Sequence, residues 1–206
     1  PALRWLQEAE RAGAEVLFAG LAGPPLAALL AEYRARGPRL EVAGPYFDPG
    51  AASPPAVGTW PALWHHELER YGAAQLNQRF RERFGAPLGP RGWAGWLAVK
   101  ILWEAAARAR TTAAPALVRH LEKGTTFFDG HKGRPLSFRP WDHQLRQPLY
   151  LLRPRSAPRA PEEAWEVAAE LPRRPPGEPR SSRELLDRLG DLEPDSPCRL
   201  EAAASP

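Results

Sequence analysis

The sequence predicts an α/β fold that begins with βα units, continues through a block of helices and ends in a β-hairpin. Three observations carry this expectation. Residues 2–43 alternate helical and strand patterns joined by short links, which implies a parallel sheet. Residues 65–123 hold helical stretches separated by Gly and Pro breaks. The stretch from Phe128 to Leu152, FDGHKGRPLSFRPWDHQLRQPLYLL, places two apolar runs after a Gly-punctuated turn, the pattern of a hairpin.

Residues 2–11 space Leu3, Leu6 and Ala9 three apart among charges, an amphipathic helix that Gly13 ends. Ala14 to Ala19 is a short apolar run suited to a buried parallel strand. Gly20 to Pro25 reads as a loop, with Pro24 or Pro25 in the first turn of a helix that extends to Arg36 and stops at Gly37-Pro38. Arg39 to Ala43 is a second strand, Asp48 to Pro55 a loop and Ala56 to Trp60 a third strand. Helices are expected over 65–84, over Trp93 to Arg108, and over Ala113 to Lys123 with Thr112 as its cap. The middle one, with Trp93, Trp96, Leu97, Val99, Ile101, Leu102 and Trp103, has so little polar surface that it is expected to be mostly buried. In the hairpin, Pro135 to Phe138 and Leu145 to Leu152 form the strands, and Pro148 demands an edge or a bulge.

After Leu152 the composition changes. Ten of the 25 prolines fall there, and residues 154–206 read as a Pro/Arg-rich extended tail contributing little to the core. Short helices are expected in it at Glu162 to Leu171 and Ser182 to Leu189. The net charge of +4 is divided: 19 basic against 13 acidic residues up to Leu152, then 9 against 11. A mildly basic body could attract nucleic acid, so a basic nucleic-acid-binding protein stands as one alternative function. The basic residues alternate with acids on helices, however, as on a solvated face, and no aromatic-basic RNA motif is present. No run approaches the roughly 18–20 apolar residues of a membrane span. The single cysteine, Cys198, cannot form an internal disulfide.

A second alternative is a metal-dependent enzyme. His66-Glu67-Leu68-Glu69-Arg70 starts like the zinc-protease helix H-E-x-x-H, but Arg70 stands where the second ligand is needed. Asp129, His131, Asp142 and His143 flank the two hairpin turns in no defined metal spacing, and carboxylates at turns commonly bond their own backbone. No phosphate loop and no nucleophile elbow occur, so catalysis has no positive support and neither a cofactor nor a metal is expected. The loop Gly20 to Pro25 is the better site candidate, because it leaves a strand and opens a helix, where amides can hold a polar group.

The string F-D-G-x-x-G, a short strand, a charged turn and a second strand ending Leu149-Tyr150-Leu151-Leu152 resembles the late hairpin of type I periplasmic solute-binding proteins. These are the branched-chain amino-acid type receptors of ABC transporters. More narrowly, LSFRPWDHQLRQP, with Trp141, Gln144, Arg146 and Gln147, resembles the branch found with quinoprotein (PQQ-dependent) alcohol dehydrogenase systems. The resemblance covers residues 2–152 and begins partway through the second lobe. It implies a partial type I periplasmic-binding-protein fold: second-lobe βα units, a hinge strand, helices and the hairpin, with the first lobe largely missing. Residues 1–153 would form this C-terminal portion of a longer protein, and 154–206 its tail.

The resemblance further implies a monomeric, non-enzymatic protein that is not embedded in the membrane. It would capture a small solute in the periplasm and hand it to an ABC permease. Its ligand-facing residues would be Leu21, Ala22 and Gly23, with Phe47 and Trp60. Amino-acid-binding members carry an acid near the start of the helix after this loop, whereas this chain has Pro24-Pro25-Leu26-Ala27. That departure argues against an amino-acid ligand.

Overall fold

The computed structural model describes residues 2–37, 39–45, 57–173 and 181–198. The N-terminal part follows the expected alternation. Helix α1 (Ala2–Arg11) leads to β1 (Val16–Phe18), α2 (Gly23–Arg36) and β2 (Glu41–Ala43). The two strands pair in parallel, Leu17 opposite Val42. The helices α1 and α2 pack together and bury Leu6, Leu29 and Leu30 beneath the sheet. Strands in a parallel sheet are normally covered on both faces. Here Val16 and Phe18 stand bare, Phe18 at 64% exposure.

Strand β3 (Trp60–Ala62) starts a few residues later than expected, and the proposed loop from Asp48 to Pro55 lies outside the described residues. β3 carries the chain from one core to another. Trp60 and Ala62 belong to the first core, with α1, α2 and β2; Trp64, two residues on, belongs to the second. The second core gathers Trp64, Leu88, Trp93, Leu97, Ile101, Phe128 and Leu136, and Trp64 and Trp93 stack at 5.6 Å.

The helix expected over 65–84 is shorter, α3 (Ala73–Phe84). Tyr71 and Gly72 both have left-handed φ, 58° and 83°, a conformation that no helix interior accepts, so 65–72 is a turn. The long helix α4 (Pro90–Ala109) forms as expected, but it is not buried all round. Trp93, Leu97, Ile101 and Ala105, at four-residue spacing, face the second core. Val99, Leu102 and Trp103 point away from it, and Trp103 is 71% exposed. Helix α5 (Ala114–Leu121) begins one turn position later than expected: Ala113 is the cap residue, and the Thr111 hydroxyl, not Thr112, accepts its amide.

The hairpin forms over a shorter span, β4 (Ser137–Phe138) against β5 (Leu145–Arg146). Pro148 interrupts the second run, and its remainder becomes a separate strand, β6 (Leu149–Pro154), which crosses back to β3. The F-D-G-x-x-G turn has a packing explanation. The Asp129 carboxylate accepts the His131 amide at 2.8 Å, and the Trp93 indole donates to the Gly130 carbonyl at 3.1 Å. A side chain at Gly133, φ 70°, would overlap the Tyr71 ring.

The residues after Leu152 depart most from expectation. The stretch read as a helix at 162–171 is strand β7 (Trp165–Leu171), antiparallel to β6 from Leu149↔Leu171 to Pro154↔Trp165 with a bulge at Leu151/Leu152. Trp165 is buried in the first core. Its Glu and Ala residues suit a helix locally, but the unpaired edge of β6 gives the segment a ladder, and tertiary pairing overrides propensity. Helix α6 (Ser182–Asp187) agrees with the pattern, with Ser181 and Glu184 forming a capping box, and it buries Leu185 and Leu186. The region is thus packed on the body rather than merely lying along it.

Candidate functional site

The loop after β1 lies where expected. Ala19 is buried, its amide bonded to the Ala43 carbonyl at 2.7 Å; Gly20, Ala22 and Gly23 are exposed and Leu21 is half-buried. Gly23 opens α2 at φ 60°, with no atom near the space a side chain would occupy. Ala22 caps the helix without a side-chain bond. Pro24 and Pro25 remove two amide donors from the first turn, so this terminus holds an anion less well than an ordinary helix start. Beside the loop, Leu21, Phe18, Leu17, Leu29 and Trp5 line an open, largely apolar hollow of about 420 Å³.

Trp60 is brought close to this region but is not open. It is 1% exposed, its indole donates to the Val57 carbonyl at 2.8 Å, and its ring covers Gly44 so closely that any side chain there would overlap it. It forms the floor under the strand ends. Phe47 lies outside the described residues.

The metal candidates disperse. His66 Nε2 contacts the Glu162 carbonyl at 2.9 Å, and Glu67 accepts from Arg155 at 2.6 Å. Asp129 and Asp142 both turn back on their own loops, Asp142 taking the Gln144 amide at 2.9 Å. Among the described residues no three His, Cys, Asp or Glu side chains gather around a point. No described helix is long and apolar enough to cross a membrane.

Two polar clusters, built in part from the hairpin motif and given no role by sequence reasoning, are buried. Lys132 lies under the Trp93 ring, 3.9 Å from its centre, and donates to Gln147 and to the Pro148 carbonyl at 2.8 and 2.9 Å. Burial pushes its ammonium well below the ordinary lysine range, opposed by Glu170. Arg139, 1% exposed, reaches Asp142, Gln144, Asp187 and the carbonyls of Asp187 and Asp191. Arg146 donates to the same Asp187 oxygen at 2.6 Å and to the Phe138 carbonyl, and the Trp141 ring lies against both guanidiniums. The motif residues Arg139, Trp141, Asp142, Gln144 and Arg146 therefore latch α6 onto the hairpin. The partner, Asp187, is 48 residues from Arg139, beyond the reach of any local pattern.

Two hydrophobic cores, linked through β3 and sharing Leu68 at their border, thus make up the described chain. Comparisons with known proteins identify this architecture. A search of curated proteins gives no match. Solved structures share the fold. One is a leucine-, isoleucine-, valine-, threonine- and alanine-binding protein from Brucella ovis in a closed conformation, at 14% identity and TM-score 0.66, with 82% of this chain on 46% of that one. Another is a branched-chain amino acid ABC transporter periplasmic ligand-binding protein from Burkholderia xenovorans LB400, at 16% identity and TM-score 0.68, with 81% on 46%. A third is a solute-binding protein of an ABC transporter from Rhodopseudomonas palustris BisB5 in complex with 3,4-dihydroxybenzoic acid, at 15% identity and TM-score 0.57, with 82% on 48%. The chain thus spans about half the length of these structures, a partial type I periplasmic-binding-protein fold. A family model described as "Periplasmic binding protein" matches residues 4–158, and the chain belongs to that family.

Proposed function

We propose that the chain is part of the substrate-binding component of an ABC transporter, which captures a small solute in the periplasm and delivers it to a permease. The observation that carries this is the family match over residues 4–158, together with the loop that leaves β1 and opens α2 beside an apolar hollow. A protein of this kind binds by closing one lobe on the other, without covalent chemistry, and this chain supplies one wall of that cleft. The loop with half-buried Leu21 and exposed Ala22 and Gly23 supplies one wall, Trp60 is the floor that holds it, and Phe47 is added on the family resemblance alone. We read the protein as a monomer.

The ligand class follows from what the wall lacks. No carboxylate stands at the start of α2 to grip an ammonium group, and two prolines weaken its hold on an anion. A neutral or weakly polar solute with an apolar body fits best. The resemblance of LSFRPWDHQLRQP to the branch associated with PQQ-dependent alcohol dehydrogenase systems points toward short alcohols and aldehydes. Calorimetric titration against short alcohols, aldehydes, carboxylates and branched-chain amino acids tests this. Saturable binding of an alcohol or aldehyde that Leu21→Glu abolishes is expected. Tight binding of leucine would refute the ligand class, and no binding of any panel member by the chain in its full natural context would refute the function.

A further inference from the structure

Helix α4 is apolar on two opposite faces, and only one of them is covered. Trp93, Leu97, Ile101 and Ala105 pack into the second core, whereas Val99, Leu102 and Trp103 are each more than half exposed. Gly95 and Ala98 extend the bare face, and nothing stands where a Gly95 side chain would be. Between Arg91 and Arg110 the helix has three charged residues, Lys100, Glu104 and Arg108. They pair with one another at four-residue spacing, Lys100 to Glu104 at 2.5 Å and Arg108 to Glu104 at 2.6 Å. At about 100° per residue that line lies on the side turned away from Leu102, so no charge interrupts the arc from Ala98 through Val99 to Trp103. A contiguous apolar surface of this kind marks an interface, and a helix apolar all round belongs between two layers.

What the second core lacks is a sheet. It is assembled mainly from α3, α4, α5 and the hairpin, and its described strands, β4 and β5, are two residues each. In α/β proteins helices bury their apolar sides against a sheet several strands wide. The first core shows a matching deficit, since among the described residues β1 pairs with β2 alone. The Glu15 carbonyl and the Ala19 amide bond to β2, so by alternation the amides and carbonyls of Val16 and Phe18 face the free edge. A parallel sheet that ends at such an edge, with Val16 and Phe18 bare, is two strands of a wider one. More than half of each similar structure described above has no counterpart in this chain. Both cores are short of strands, and those structures have the length to hold them.

We propose that the bare face of α4 is the seat of an apolar β-sheet face supplied by the part of the binding protein outside this chain. This seat depends on the family membership and not on any solute. Gly95 and Ala98 let the layer approach the helix backbone, and Val99, Leu102 and Trp103 enter between its side chains. Its inward residues are aliphatic, since the α4 face offers no charge to pair. The test is maleimide labelling of Val99→Cys and Leu102→Cys, each with Cys198→Ser, in the isolated chain and in the full natural gene product. Each rate is normalised to that of the same protein unfolded in urea. Both cysteines should label rapidly in the isolated chain. In the gene product they should label at least about tenfold more slowly, as a covered site reacts only when it opens. Leu102→Glu supplies a second readout. It should leave the urea midpoint of the isolated chain unchanged, because the position is exposed, and lower that of the gene product, because a charge is then buried. Equal labelling in both forms, an unchanged midpoint for Leu102→Glu in the gene product, or a gene product no longer than these residues would overturn the proposal. A gene product that sediments as a dimer, separated by Leu102→Glu, would show that a second copy covers the face instead. No solute enters these measurements, so a failed solute titration leaves them unaffected.

Discussion

Asp187→Ala should be the most informative single change outside the cavities. In the native protein one carboxylate oxygen accepts from Arg139 Nε at 3.2 Å and from Arg146 Nε at 2.6 Å, and both guanidiniums are almost wholly buried. Removing it does not strip the two arginines equally. Arg139 keeps Asp142 at 3.1 Å and two backbone carbonyls; among the described residues Arg146 keeps the Phe138 carbonyl and the Trp141 ring but no other carboxylate. Breaking a buried pair by deleting one member costs about 3–5 kcal/mol, because a charge is left uncompensated. With Arg139 still compensated, the lower end applies, about 3 kcal/mol. Asp187→Asn keeps an acceptor and should cost about half that. Urea unfolding followed by tryptophan fluorescence is the assay. At a slope of roughly 2 kcal/mol per molar urea, the midpoint should fall by about 1.5 M with the slope unchanged. Replacing the pair together, Arg146→Met with Asp187→Leu, should recover most of the loss, since a well-packed apolar pair removes the stranded charge. A shift below about 0.3 M for Asp187→Ala would show that α6 is not held by this cluster.

Three further outcomes follow from particular groups. Phe128→Ala should cost about 3–5 kcal/mol in denaturant melts, because the ring is fully buried, whereas half-buried Phe138 should cost about 2; the reverse order would refute the packing of the second core. His65 is buried, with its pKa lowered to about 3 by burial, then by His66 and Arg155. Between pH 6.5 and 3 the unfolded chain binds the proton that the folded one refuses, so stability falls as pH drops through this window. From pH 6.5 to 4.5 the native chain should lose about 2–3 kcal/mol more than His65→Leu does, and parallel profiles would refute it. Truncation after Pro154 should lower both the melting temperature and the urea slope, because Tyr150 and Leu152 lose the cover of β7 and Trp165; an unchanged transition would show that β7 adds nothing.

What the sequence made legible was local. The alternation through residues 2–43, the long α4, the F-D-G-x-x-G turn and the short helix from Ser182 all have short-range chemical causes, and each is found close to where it was read. The errors occur where a distant partner decides. Residues 165–171 are helical by composition and become a strand because β6 offers an edge. The α4 helix looked buried on every side, yet Trp103 faces outward, because composition cannot say which neighbours exist. The loop at 20–23 was legible from its place after a strand. The cluster that holds α6 was not, since 48 residues separate Arg139 from Asp187 and no motif joins them.

The latch on α6 also sets an order of events during synthesis. Arg139 and Arg146 leave the ribosome well before Asp187, the acid that they share, which trails Arg139 by 48 residues. At about 5–20 residues per second, that gap lasts roughly 2–10 seconds. During it the β4–β5 turn can close with Arg139 paired to Asp142, but Arg146 cannot be drawn inside without Asp187, so it stays hydrated and the hairpin stays loosely seated. The arrival of α6 therefore acts as a folding checkpoint for the hairpin. A nascent chain stalled before Asp187 should be cut by protease near Trp141, while one stalled after Asp191 should be protected there.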